Sequence, residues 1–377
     1  MSNQEISLYH SSDITLEFFK SDIRKYNVSQ LQEFIDCTSS IKIAYVNLII
    51  FPYMKEELDL LVKSQLLIIK ITELHDSSAH AINCNNMTDL LKRYDAPNVV
   101  FLVNGNIHAY TTKYATIRSD LSWFYSTAYP YLEKLKLLIE QKLNPYSIKE
   151  FSFDILYGQK REHRVFVKKL LEDYRDSNYF LESNFFDDHQ YVSQSQINDS
   201  IFWEDEIELL NDNIDQENQR DKKYYLDKYF SCQKCYYYGQ QMNISQVIPF
   251  KIFTRSAYSL ICETDFSNNF SFYSEKIVKP IIAKRLFIVV SGQYYLKGLR
   301  EQGFKTFEGI IDESYDNEPN NELRWKMAVD QAVALAQQDQ HTILEKIRTV
   351  VEHNFLTLTK LKTTAVSDEI TEYLQNK

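Results

Sequence analysis

Tyr273-Ser274-Glu275-Lys276 sets a carboxylate beside an ammonium at the start of a helical pattern. Ser274 can cap that helix, Glu275 sits in its first turn, and Lys276 can reach an anion. A second group, Lys160, Arg161, His163 and Arg164, lies at the start of another helical pattern, just after a strand-like run that ends in Gly158. Basic side chains beside the free N–H groups of a helix start suit a diphosphate. A third loop, Ile261-Cys262-Glu263-Thr264-Asp265-Phe266, places Glu263 directly after an apolar strand. Each group also has an ordinary structural explanation, as a surface charge cluster or a helix cap. The functional reading gains weight because all three fall on one predicted sheet edge. Together they supply cations for a diphosphate and carboxylates for ribose hydroxyls.

The elements that would hold them follow from periodicity. Residues 41–51, 66–71 and 98–105 read as strands, separated by helical spacing at 54–65, and 123–143 reads as one long helix. After a joint at 144–147 the alternation restarts, with a strand at 149–158, a helix at 162–175, a strand at 256–264, a helix at 274–285, a strand at 286–292 and a short helix at 294–303 that Gly303 stops. Residues 304–307 read as one more short strand, and the chain is helical from about Asn321 to Tyr373. Strands separated by helices imply parallel sheets covered on both faces. Ligands in such sheets bind beyond the carboxyl ends of the strands.

This second region resembles a known family. "SLICETDFSNNFSFYSEKIVKPIIAKRLFIVVSG" is similar to the donor-binding signature of GT-B-fold glycosyltransferases of the α1,3-fucosyltransferase type, which runs F-E-N-S, then Y-x-T-E-K, then a helix and a short P-I-V-x-G strand. Gly158 with "QKREHRVFVKKLL" resembles that family's earlier strand–loop–Arg–helix element, and "KTFEGIIDESYD" looks like a stretch in glycosyltransferase-like phage and bacterial proteins. The resemblance covers roughly residues 150–316 and implies an α/β, GT-B-like fold. The two alternating strand–helix regions, joined near 144–150, predict two Rossmann-like doubly wound domains facing a cleft: an acceptor-side domain (1–148), a donor-binding domain (149–325), and C-terminal helices (326–377) packing back across the joint. The resemblance further implies that Arg164 contacts the donor diphosphate, with Arg161 in the same loop, that Glu275 binds the ribose, and that Lys276 binds the phosphates. Tyr273, Glu263 and Ser274 would line the pocket. "CETD" stands where the family has F-E-N-S, so the sugar is not specified by the likeness.

The expected reaction is transfer of a sugar from a nucleotide diphosphate to a hydroxyl acceptor (a glycan, a lipid-linked saccharide or a protein), with no metal and no other cofactor; the alternatives are a GT-B-like binding protein without transferase activity and a nucleic-acid-modifying glycosyltransferase. Preorganised cations would stabilise the departing diphosphate. A base would have to deprotonate the acceptor. Glu73, His75, Asp76 and His80 follow one predicted strand and His108 another; Asp76 and His108 rank first because they follow strand ends.

Other signals point elsewhere and are set aside. The Cys232–Cys235 pair has zinc-like spacing without a second pair, and the acidic "FFDDH" at 185–189 lacks a spaced Asp-x-Asp form. Tyr236, Tyr237 and Tyr238 fit a half-buried strand, and the acidic residues 187–219 read as an insertion or solvated loop. No G-x-G-x-x-G or Walker loop occurs. A net charge of −10 disfavours nucleic acid as the partner. Five cysteines in 377 residues and the lack of a long apolar run predict a cytoplasmic chain with no transmembrane segment.

Overall fold

A computed structural model describes residues 5–11, 23–48, 55–71, 80–108, 110–158, 160–183, 206–210, 234–266, 268, 270–360 and 365–376. The fold is mixed α/β, and its two largest sheets are parallel. Contacts divide the chain into two compact units. The first takes Met1–Ser122, Ser267–Phe272 and Lys362–Lys377, and the second takes Trp123–Phe266 and Tyr273–Leu361. Among the described residues no helix is long and apolar enough to cross a membrane.

The first unit is built on β1 (Ile6–His10), β2 (Ile23–Tyr26), β3 (Ile41–Leu48), β4 (Leu66–Ile71), β5 (Val99–Val103) and β7 (Thr116–Ser119), all parallel and in the order β2-β1-β3-β4-β5-β7. β5 is buried at every residue, as a strand covered on both faces must be. One face carries Leu8, Ile43, Ile68 and Leu102, and the C-terminal helix Ala365–Gln375 lays Ile370 onto it. That burial stabilises by about 1.5–3 kcal/mol per fully covered apolar side chain. β6 (Asn106–Ile107) pairs antiparallel with β14 (Phe270–Ser271). Gly105 makes this approach possible. Its φ is +121°, and a Cβ there would lie 1.8 Å from the Ser271 carbonyl oxygen.

The second unit contains the parallel sheet β15-β13-β8-β9, built from β8 (Phe151–Ile155), β9 (Phe180–Glu182), β13 (Ser256–Cys262) and β15 (Phe287–Val290). From β8 the chain moves one way to β9, then returns to β13 and β15 on the other side. Right-handed crossovers therefore put the helices Glu162–Leu170 and Glu275–Ile282 on opposite faces. The helix Asn321–Ala336 covers the first of these, and Gln340–Lys360 covers the second. Beneath the sheet Arg285 is fully engaged. It donates to Asp154 Oδ2 at 2.5 Å and to the carbonyls of Phe253, Ser256 and Tyr258 at 2.7 to 2.9 Å, tying β8 to β13. Such a pair fixes register more than it adds net stability.

Local details depart from the sequence expectations in three places. The expected single helix over 123–143 is two, Ser122–Glu133 and Lys136–Lys142, because Pro130 O accepts from both Lys134 N and Leu135 N and closes the first one. The helical stretch beyond Asn321 breaks at Asp339, whose carboxylate caps the next helix through Thr342 N. Residues 304–307 form no strand. Lys305 N and Phe307 N donate to the side chains of Asn354 and Glu313, which removes them from any ladder.

Two further segments meet the expectations in part. Within the acidic stretch, β10 (Ile207–Leu209) is ordered with Ile207 and Leu209 buried. It joins β11 (Lys234–Tyr237) and β12 (Gln240–Asn243) in an antiparallel sheet, so this segment is core rather than solvated loop. Of the tyrosine run, Tyr236 and Tyr237 lie in a half-buried strand as expected, and Tyr238 begins the turn that follows. That turn, Tyr238-Gly239, has positive φ at both residues, which suits the twist of a two-residue hairpin. Residues 185–189 and Cys232 lie outside the described residues.

Candidate anion site at the carboxyl edge of the second sheet

Strand order in the second sheet reverses between β8 and β13. A crevice opens beyond the carboxyl ends of strands at such a reversal, because the following helices leave on opposite faces. Tyr157 and Gly158 follow β8 here, and Glu263 and Thr264 follow β13. The three loops singled out by sequence converge on this point, and Thr264 is their junction. Its carbonyl accepts from Arg161 at 2.8 Å, and its hydroxyl accepts from Lys276 Nζ at 3.0 Å.

Glu263 organises the edge. Its Oε1 accepts from Ser274 N at 2.9 Å and from the Tyr295 hydroxyl at 3.0 Å. Its Oε2 accepts from Thr264 N at 2.8 Å and from Ser274 Oγ at 2.5 Å. Four donors fill a fully buried carboxylate, so Glu263 fixes the loop and the helix start and has no acceptor left to offer. Ser274 is equally committed, since its Oγ also accepts from Lys276 N and caps the helix Glu275–Ile282. Tyr273 is buried, with its hydroxyl donating to Tyr295 O at 3.3 Å. These three residues build the site from behind.

His163 and Arg164 turn inward, so the basic group expected at this helix start does not present all its members to a ligand. His163 Nε2 lies 2.8 Å from the Glu263 carbonyl, which can only accept, so Nε2 carries the proton. Nδ1 has no hydrogen-bond partner among the described residues, and the ring packs against Phe266 and Trp325. Burial, reinforced by the Arg164 charge, pushes its pKa well below 6.5. His163 is therefore neutral at pH 7. Arg164 is 2 % exposed and donates to the carbonyls of Cys262 and Glu263 at 3.3 and 3.2 Å. Burial and then the neighbouring Arg161 lower its pKa to about 10.

Glu275 and its lysines form the accessible part. Lys276 Nζ lies 2.6 Å from Glu275 Oε1. Burial alone would raise the Glu275 carboxyl, but Lys276 and Lys279 outweigh it and pull the pKa down to about 2. Lys279 is half-buried, and burial, with Lys276 adding to it and Glu275 opposing, brings its pKa down to about 8. Among the described residues of these loops the buried and half-buried cations Arg161, Arg164, Lys276 and Lys279 meet the carboxylates of Glu263, Asp265 and Glu275, an excess of one positive charge. Cations with depressed pKa values favour an anion, which would restore them.

Sequence reading missed Lys279, Thr264 and Tyr295. Lys279 stood four residues after Glu275 on a helical pattern, a signal that could have found it. The two hydroxyls carry no such mark. Of the residues considered for the base, His108 is described: its Nε2 lies 2.8 Å from Ser271 Oγ, within the first unit. Asp76, Glu73 and His75 lie outside the described residues, as does the His80 side chain. No group of three or more His, Cys, Asp or Glu residues suited to a metal occurs among the described residues. Comparison of the chain with protein-family models, curated proteins and solved structures finds no match.

Proposed function

We propose that the chain is a glycosyltransferase that takes its sugar from a nucleotide-diphosphate donor bound at this edge. The observation that carries the reading is the excess of positive charge around Thr264 and Glu275 at the point where strand order reverses. The likeness of the Tyr273–Lys276 and Gly158–Arg164 segments to the α1,3-fucosyltransferase-type signature supports it, and a GT-B arrangement of two Rossmann-like domains belongs to the same proposal. In this reading Arg161 and Lys276 hold the diphosphate, Arg164 adds its charge from beneath, and the Glu275 carboxylate accepts from hydroxyls of the ribose. During transfer the acceptor oxygen bonds to the anomeric carbon while the bond from that carbon to the diphosphate oxygen breaks. The electron pair leaves with the nucleotide diphosphate, where the cations stabilise it. The acceptor's proton passes to a base, for which Asp76 and His108 are the proposed groups.

The test is a panel of UDP, GDP, CDP and ADP with their sugar conjugates, read first by thermal shift and then by release of free nucleotide with and without glycan acceptors. Stabilisation by one nucleotide class with turnover of its sugar is the expected result. Binding without any turnover would leave a nucleotide-binding protein, and no binding by any member would overturn the reading.

A further inference from the structure

The edge holds one half-buried cation whose charge acts on Glu275 without a hydrogen bond or close ion pair among the described residues. Arg161 donates to Thr264 O, Arg164 to the carbonyls of Cys262 and Glu263, and Lys276 to Glu275 and Thr264. Lys160 is exposed, so water satisfies it. Lys279 differs from all of these: it is half-buried, and among the described residues its ammonium has neither a hydrogen bond nor an ion pair. An ammonium carries three donors, and those of Lys279 reach water and stay open to a ligand. A partner was within reach, because a Glu four residues before a Lys is the favourable orientation of a helical ion pair. Glu275 nevertheless takes Lys276, at 2.6 Å, and leaves Lys279 open.

We propose that the Lys279 ammonium is a ligand contact, reserved for one phosphate of a diphosphate whose other phosphate is held by Lys276; this rests on the reading of the edge as a diphosphate site. Lys276 and Lys279 are three residues apart on one helix, which sets their Cβ atoms about 5–6 Å apart. Two long ammonium arms from that spacing span adjacent phosphates better than a single carboxylate. Glu275 lies on the same helix face as Lys279, four residues before it, so hydroxyls can be accepted there while the phosphates lie on the lysines. The depressed pKa of Lys279 is the expected state of such an ammonium before its anion arrives.

Calorimetric titration with inorganic pyrophosphate and with inorganic phosphate tests this on the full chain, alongside the nucleoside diphosphate selected above. Wild type should bind pyrophosphate more tightly than phosphate. Lys279→Met should weaken pyrophosphate binding by about tenfold or more, as loss of a charge-assisted contact does. Lys279→Arg should stay within about threefold of wild type, and the exposed control Lys346→Met should change nothing. Burial holds the Lys279 pKa below its ordinary value, so its charged form costs stability at pH 7, and ligand-free Lys279→Met should melt no lower than wild type even though Glu275 loses a neighbouring charge. A purely structural lysine would not give that combination. Lys279→Met binding pyrophosphate within twofold of wild type overturns the proposal alone, as does weakened binding that comes with a lowered melting point. Wild type binding neither pyrophosphate nor any nucleoside diphosphate overturns both this proposal and the site beneath it.

Discussion

Glu275→Gln separates a carboxylate held by its two lysines from one that only complements the helix dipole, by stability alone and with no ligand needed. The side chain is 12 % exposed and its carboxyl is held at about 2 against an ordinary 4.5. At about 1.36 kcal/mol per pH unit, that difference stabilises the folded state by about 3.4 kcal/mol at neutral pH. The folded pKa is the lower one, so the contribution is complete above the unfolded value near 4.5 and is lost as pH falls through the folded value near 2. At pH 3 about 1.4 kcal/mol of it is left. Gln removes the charge and stands for the protonated acid. Urea unfolding of wild type and Glu275→Gln should therefore show a gap of about 3 kcal/mol at pH 7, narrowing to about 1.4 kcal/mol at pH 3. If Glu275 only complements the helix dipole, the gap is about 0.3–1 kcal/mol. A gap below about 1 kcal/mol at pH 7 that does not narrow with acid would refute the ion-pair account of this site.

Two further substitutions test the scaffold. Asp154→Asn leaves the Arg285 charge buried beneath the sheet, and should cost about 3–5 kcal/mol in denaturant unfolding; a loss under about 1 kcal/mol would show that the remaining bonds of Arg285 suffice. Gly105→Ala brings a Cβ onto the Ser271 carbonyl at a φ that L residues rarely adopt, and should destabilise by about 3 kcal/mol. An unchanged melting temperature there would count against the β6–β14 pairing.

Much of the site's frame can be read locally. The Ser274 cap, the helix beginning at Glu275 and the apolar strands at 256–262 and 287–290 each follow from residues within a few positions of one another. The same local logic places Arg161, Glu263 and Glu275 after strands or at helix starts. It fails at 304–307, where alternating Phe and polar residues imitate a strand while Glu313, six residues on, and Asn354, from 49 residues downstream of Lys305, take the backbone donors.

What sequence alone could not settle is which of the charged groups face the ligand. "KREHR" reads as a basic group at a helix start, yet the fold leaves Lys160 in water, engages Arg161 with Thr264, and buries His163 and Arg164 against a carbonyl about a hundred residues away. Glu263 reads as a pocket carboxylate and becomes a filled one, because Ser274 and Tyr295 arrive from 11 and 32 residues downstream. Lys279 reads as one more helical lysine and becomes the half-buried cation left open. The physical reason is common to all three. A residue's type and its place on a helix or strand are set by neighbours in the chain, whereas its burial, its hydrogen-bond partners and hence its pKa are set by segments that only the folded sheet brings together.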